Sequence, residues 1–286
     1  MEVKLCAFAD EAGAGLSEQI DALKRNGIGL LEIRSVDGVN VKDIGEERAR
    51  EIQTRLARAG IGVFSIGSPL GKSAVTDDFD EEIRRLGHIL RLAGIFLCGK
   101  IRVFSFYTDK PAGARYEVIR RLREMVKLAA RSGATLYHEN EKGIYGDTAR
   151  RVSDILDSVP GLKSVYDPAN YIQVGESADA TIADVLPRAD YLHIKDVIAS
   201  TGELVPAGYG DCKISEIVAS LKADTVMSVE PHLKVFPGFQ SLGPHGMKNK
   251  FAFASNASAF DAAVDGLKEI LKKTGFTEES GKWIKR

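Results

Sequence analysis

Eight short apolar runs punctuate this chain, each separated from the next by a longer stretch of helical pattern. They fall at residues 3–9, 29–34, 62–66, 100–104, 135–139, 163–167, 191–195 and 225–230. Between them apolar residues recur at helical spacing. Ile20 and Leu23 precede a stop at Asn26 and Gly27, and the run 46–59 stops at Gly60. Ile83, Leu86, Leu90 and Ala93 precede Gly94, and Val118, Leu122, Val126 and Ala129 precede Gly133. Glycine just past a helix suits the left-handed cap, where a Cβ is costly. Alternating strands and helices imply parallel pairing, because each crossover returns the chain to the same edge. No G-x-G-x-x-G follows the first strand, and the polar residues gather at strand ends throughout the series, not at one switch point. Both features favour a closed (β/α)8 TIM barrel over an open doubly wound sheet. An apolar content of 44% in 286 residues is enough to fill one such domain across 1–286. The rhythm breaks once, in a long loop at 232–257 after the eighth strand. With Phe236, Phe239 and Phe251 among glycines, it is expected over the barrel mouth or at a subunit contact of a homo-oligomer.

Charge and cysteine usage narrow the function. Lys and Arg number 39 against 40 Asp and Glu, a balance unlike the basic domains that bind nucleic acid. Cys6, Cys98 and Cys212 lie far apart with no C-x-x-C, which fits buried thiols in a reducing compartment. The start, MEVKLCAFAD, carries no long apolar run, so neither a signal peptide nor a membrane span is expected and a cytoplasmic location is.

The strand ends carry the chemistry. In a barrel of this kind the C-terminal strand ends form one face, where active sites sit. Strand five ends in Glu139, strand six in Asp167 and strand eight in Glu230, and strand seven holds His193. These four strands are consecutive, so their side chains can converge over one side of the mouth. Three converging carboxylates would raise one another's pKa unless a cation intervened. Three oxygens and one imidazole nitrogen suit Mn2+ or Mg2+, with Co2+ or Zn2+ also compatible, and leave positions open for a ligand. Glu141 shares the facing parity of Glu139 and is its rival. His138 alternates with Glu139 and should face away from the barrel interior. Glu32, Arg34 and Arg102 lie on strands two and four, able to pair inside the barrel or touch substrate. The loop from Gly67 to Ser73 imitates a phosphate loop, but it has only three residues between its glycines and places Ser68 and Lys72 near the mouth.

With HENEKGIYGDT, DPAN, HIKD and EPH, these residues resemble the sugar phosphate isomerase/epimerase family of xylose isomerase-like barrels, whose relatives include D-tagatose 3-epimerase and D-psicose 3-epimerase. The resemblance covers most of the chain. It implies a TIM barrel, a metal that is usually Mn2+, and Glu139 and Glu230 acting both as ligands and as the proton-transferring pair. The chain departs from the family pattern in two places. Asn170 stands where those epimerases carry a substrate-contacting His, and Lys195 and Asp196 stand where they carry an Arg. Glu141, Asn170, Lys195, Ser68 and Arg34 are the expected substrate contacts. The expected reaction is epimerisation or aldose–ketose isomerisation of a sugar or sugar phosphate through an enediolate. The rivals are a dehydratase acting on an inosose-like keto sugar, a non-catalytic sugar-binding barrel and an endonuclease-IV-like hydrolase. With only five His, the last is poorly supplied with ligands for a metal cluster.

Overall fold

The computed structural model describes residues 1–234 and 251–286. Its centre is a ring of eight parallel strands: β1 (Glu2–Ala7), β2 (Leu30–Ile33), β3 (Gly62–Gly67), β4 (Lys100–Val103), β5 (Thr135–Glu139), β6 (Lys163–Tyr166), β7 (Tyr191–Ile194) and β8 (Thr225–Val229). Each strand pairs with the next, and β8 pairs in parallel with β1, from Val3 opposite Thr225 to Ala7 opposite Val229. The barrel is therefore closed. The surrounding helices are α1 (Leu16–Arg25), α2 (Glu46–Arg58), α3 (Phe79–Ile95), α4 (Pro111–Arg131), α5 (Ala149–Ser158), α6 (Pro168–Gln173), α7 (Ala178–Asp184), α8 (Ile214–Ser220) and α9 (Asn256–Lys273). None of the described helices is long and apolar enough to cross a membrane.

The helix stops follow the glycine pattern with one exception. Gly27, Gly60 and Gly133 take positive φ just beyond α1, α2 and α4. Gly94 instead lies inside α3, and the left-handed residue is Leu97. Cys98 N–H reaches back to the Ala93 carbonyl, closing a Schellman turn that lets Phe96 be buried.

Side chains alternate across each strand, so residues two apart share the barrel interior. Phe64, Tyr137, Val165, Tyr191 and Val226 pack together in a layer low in the barrel. Tyr191 meets Phe64 and Tyr137 edge-on at 5.1 and 5.6 Å between ring centres. Moving two residues along β5, β6, β7 and β8 gives Glu139, Asp167, His193 and Ser228, and one further step along β7 and β8 gives Lys195 and Glu230. Apolar packing below thus holds a charged layer above.

Three features escaped the sequence pattern. Beyond β1 the chain makes a 3-10 turn, Ala9–Glu11, which sets Asp10 and Glu11 at the mouth in place of the expected strand end. Two hairpins, Ser35–Val36 with Val39–Asn40 and Asp196–Ile198 with Glu203–Val205, extend from the C-terminal ends of β2 and β7. A third hairpin, Thr277–Glu279 with Lys282–Ile284, lies antiparallel against the start of β1 and buries Trp283. Of the long loop, residues 235–250, including Phe236 and Phe239, lie outside the described residues. Phe251 meets Tyr209 edge-on at 5.5 Å and stacks with Phe253 at 6.2 Å. All three cysteines are free and buried.

Trp283 is 1% exposed. Replacing it with Ala should cost about 3–5 kcal/mol, the usual penalty for emptying an aromatic site, read as a lower midpoint in urea unfolding.

Candidate functional site at the barrel mouth

One ligand atom from each of Glu139, Asp167, His193 and Glu230 lies within 4.8 Å of the other three, and all four residues are buried. Local structure sets each atom. Asp167 is the N-cap of α6, with Pro168 in the first helical turn. Its Oδ1 accepts the Asn170 amide at 3.0 Å, so Oδ2 is the oxygen left for the cluster. Asn140 bonds the Asp167 backbone in both directions, through its Nδ2 at 2.9 Å and its Oδ1 at 3.0 Å, and ties β5 to β6. Asn170 Nδ2 donates to the Asn140 carbonyl at 2.8 Å and lies 3.4 Å from Glu139 Oε1.

His193 is the hub. Its Nδ1 stands 3.0 Å from Glu139 Oε1 and 3.2 Å from Glu230 Oε2, and its Nε2 stands 3.1 Å from Glu32 Oε2. Glu32 is held in turn by the Tyr191 hydroxyl at 2.8 Å. Burial works against a charged imidazole here, but Glu139 and Glu32 outweigh it and raise the His193 pKa well above its ordinary value. The same charges act on the acids. Burial pushes Glu139 up, yet His193 and Arg102 hold it down at about 2. Glu230 is likewise held well below the carboxylate range, against burial, by Lys195, His193 and His232. Asp167 differs. Burial, reinforced by Glu139 and Glu230, raises it to about 6 despite the opposing Lys195 ammonium.

Cations buttress the cluster. Arg34 donates to both Asp10 oxygens at 2.9 Å, to Glu11 at 3.1 Å and to Glu230 Oε1 at 2.8 Å. Arg102 pairs with Glu139 Oε2. Lys195 Nζ lies 2.8 Å from Asp167 Oδ2 and 3.9 Å from Glu230 Oε2. Six buried carboxylates, of Asp10, Glu11, Glu32, Glu139, Asp167 and Glu230, therefore face three buried permanent cations. Even so, among the described residues no well-aligned hydrogen bond reaches Asp167 Oδ2 or Glu230 Oε2. A divalent cation fits this arrangement, which offers carboxylate oxygens, an imidazole nitrogen and uncompensated negative charge.

The remaining expected residues fall into place around this cluster. Arg34, Asn170 and Lys195 are part of it. Glu141 is not; it pairs with Lys72 at 3.0 Å. Ser68 is buried and donates to the Arg102 carbonyl at 2.6 Å. His138 faces away from the barrel axis, within 3.0 Å of Ser105 Oγ, and burial keeps it neutral with a pKa near 4. Asp10, Glu11 and Asn140 were missed. Asp10 and Glu11 lie in a turn that no periodicity marks, and Asn140 reads simply as the residue after a strand.

The sequence matches the xylose isomerase-like TIM barrel family model over residues 20–242. The chain belongs to this family. Comparison with curated proteins finds no match. Among solved structures, family resemblance is broad and sequence identity low. The probable 3-DHS dehydratase AsbF from Bacillus anthracis is 18% identical, with 94% of this chain and 99% of that one covered at a TM-score of 0.70. The IolI protein with a bound zinc atom is 14% identical, with coverage of 95% and 99% and a TM-score of 0.72. D-psicose 3-epimerase from Clostridium cellulolyticum H10, solved with D-tagatose, is 16% identical, with coverage of 93% and 99% and a TM-score of 0.68. Epimerase and dehydratase thus share the architecture of this family member.

The Asp167 pKa has a testable sign. Because the folded-state value lies above the ordinary 3.8, this carboxyl's contribution to stability is present below pH 4 and is lost as pH rises through about 6. In chelator-treated protein at pH 8, Asp167→Asn should therefore raise the melting temperature by roughly 5 °C, with the difference vanishing near pH 4.

Proposed function

We propose that this chain is a divalent-metal-dependent isomerase or epimerase of a sugar or sugar phosphate, working by proton transfer next to a carbonyl. The observation that carries the reading is the meeting of Glu139, Asp167, His193 and Glu230 within 4.8 Å of one another. These four would hold the ion, with Mn2+ the best match to a hard, oxygen-rich set that includes one imidazole and Mg2+, Co2+ or Zn2+ as substitutes. When bound, the ion would supply Lewis-acid stabilisation to substrate oxygen that gains negative charge.

The rest falls to the protein. Glu139 and Glu230 project from β5 and β8, which are separated by two strands, so they reach the centre from different directions. Both are held ionised, as proton acceptors must be. One takes the proton from carbon beside the carbonyl, giving an enediolate. If the other carboxyl, having first taken up a proton from solvent, delivers it to the opposite face of that carbon the product is an epimer; return of the abstracted proton to the neighbouring carbon isomerises. Arg34 and Arg102 fix the two carboxylates, and Lys195 fixes Asp167.

Loss of water is the second reading, and Lys195 favours it. Its buried ammonium beside Asp167 and Glu230 could donate the proton that a departing hydroxyl requires after the same initial abstraction. The fold shared with AsbF is compatible with that chemistry.

The metal assignment makes Glu32 a positioning residue. By accepting from Nε2 it leaves Nδ1 of His193 for the ion, and such outer partners of ligand histidines commonly govern affinity. Metal-free protein titrated with Mn2+ in competition with a chelating dye should show tight binding. Glu32→Gln should weaken it by about 10–100-fold while leaving the far-ultraviolet circular dichroism unchanged. A protein that takes up no divalent metal would end the proposal.

The chemical step is tested in heavy water with a panel of ketoses. Deuterium at C3 marks an epimerase, deuterium at C1 or C2 during aldose–ketose conversion an isomerase, and an unsaturated or keto product a dehydratase. Glu139→Gln and Glu230→Gln, compared at equal metal occupancy, should each lower turnover by about a hundredfold or more. Undiminished exchange in both would place the proton carrier elsewhere.

A further inference from the structure

Glu230 belongs to two clusters. Its Oε2 faces His193 and Lys195 in the group of four described above, and its Oε1 faces a second group. There, one ligand atom from each of Glu11, Glu230 and His232 lies within 4.8 Å of the other two. His232 Nε2 stands 3.3 Å from Glu11 Oε1 and 3.5 Å from Glu230 Oε1. Two carboxylates and an imidazole at this spacing are donors that suit a divalent cation.

This second group already holds a cation, and it is part of the chain. Arg34 donates from Nη1 to Glu230 Oε1 at 2.8 Å and from Nη2 to Glu11 Oε1 at 3.1 Å. Nη1 also lies 3.5 Å from His232 Nε2. The guanidinium thus meets the same three atoms that would otherwise surround an ion. Its remaining edge is fixed by Asp10, whose two oxygens each accept from it at 2.9 Å. One of them, Oδ2, accepts the Ser35 hydroxyl as well, at 2.7 Å. Phe8 lies under the guanidinium, with its ring centre 4.5 Å from Cζ. Arg34 is 2% exposed, and unlike a metal ion it neither dissociates nor loses its charge.

The carboxylates are divided to match. Glu11 Oε2 accepts the His232 backbone N–H at 2.7 Å and Oε1 takes Arg34. Glu230 Oε1 takes Arg34, which leaves Oε2 for the group on β5 to β8. A second divalent ion would have to enter the space that the guanidinium fills, against the repulsion of like charges.

We infer that Arg34 is a built-in replacement for a second divalent ion. It fills the Glu11, Glu230 and His232 group, limits the chain to one metal ion, and presents Glu230 to that ion through Oε2 alone. The inference rests on the reading of Glu139, Asp167, His193 and Glu230 as the metal centre, and adds to it the number of ions and the residue that sets that number.

Counting ions tests it. Equilibrium dialysis of the metal-free full chain against excess Mn2+ gives the number bound, and electron paramagnetic resonance shows whether bound ions are isolated or paired. The wild-type chain should hold one Mn2+ with the spectrum of an isolated ion. Arg34→Lys, which keeps a cation in place, should also hold one. Arg34→Ala vacates the space and should hold two, magnetically coupled because they share Glu230. Adding Glu11→Gln to Arg34→Ala should return the count to one, since Glu11 is not among the four residues of the first group. Removing a buried guanidinium leaves its acids uncompensated, so the folding of Arg34→Ala is followed by circular dichroism with and without Mn2+. If it folds only with metal, the count in the refolded protein decides in the same way; a variant that Mn2+ cannot restore overturns the inference. Two ions in the wild type, or one in folded Arg34→Ala, overturn it too and leave the metal centre standing. No Mn2+ in the wild type overturns both.

Discussion

A single imidazole lies among three buried carboxylates, and most of the upper barrel is arranged to make that tolerable. His193 faces Glu139 and Glu230 with one nitrogen and Glu32 with the other. Unrelieved, carboxylates so close together and so far from water would take up protons. The protein answers with guanidinium groups, each anchored by its own acid or ring: Arg34 by Asp10 and Glu11, Arg102 by Phe104. Relief is incomplete, and the remaining strain falls on Asp167 and Glu11, whose carboxyls burial pushes upward. A site of this kind is less stable than an apolar core of the same volume, a familiar cost of a preorganised centre.

The barrel below makes the crowding possible. Tyr191 belongs to both layers, packing its ring against Phe64 and Tyr137 while its hydroxyl supports Glu32. Strand parity then carries that register upward, so that packing of the lower layer aims the upper one. Asp167 serves two masters on the same principle. One oxygen starts α6 and the other is thereby directed at the cluster. Helix capping here is a means of pointing a functional atom.

Much of this was legible in the chain because it depends on period and polarity. Eight runs at regular intervals specify parallel strands, and acids at the ends of successive runs specify a polar face. Glu139, Asp167 and Glu230 stand out because strands seldom end in carboxylates without reason. What stayed hidden depends on contacts between distant segments. Asp10 and Glu11 matter only because β1 turns back towards Arg34, and Glu32 only because β2 and β7 face one another across the barrel. Glu141 has the same parity as Glu139, but beyond the last ladder position the chain curls away and parity no longer predicts direction. Gly94 misled for a similar reason: burial of Phe96 extends α3 beyond the residue whose type suggests a stop.

The C-terminal hairpin has a consequence for how the molecule is assembled. The first strand of the barrel finds its partners among segments far along the chain: Val3 lies opposite Thr225 in β8 and opposite Trp283 in the hairpin. Until those residues leave the ribosome, one edge of β1 has nothing to bond, and the ring cannot shut. Closing it joins segments more than two hundred residues apart, an interaction of very high contact order that brings in its full loop entropy at the end. The growing chain must therefore pass through a stage in which an open sheet exposes an unsatisfied edge, the condition under which parallel sheets are most exposed to aggregation.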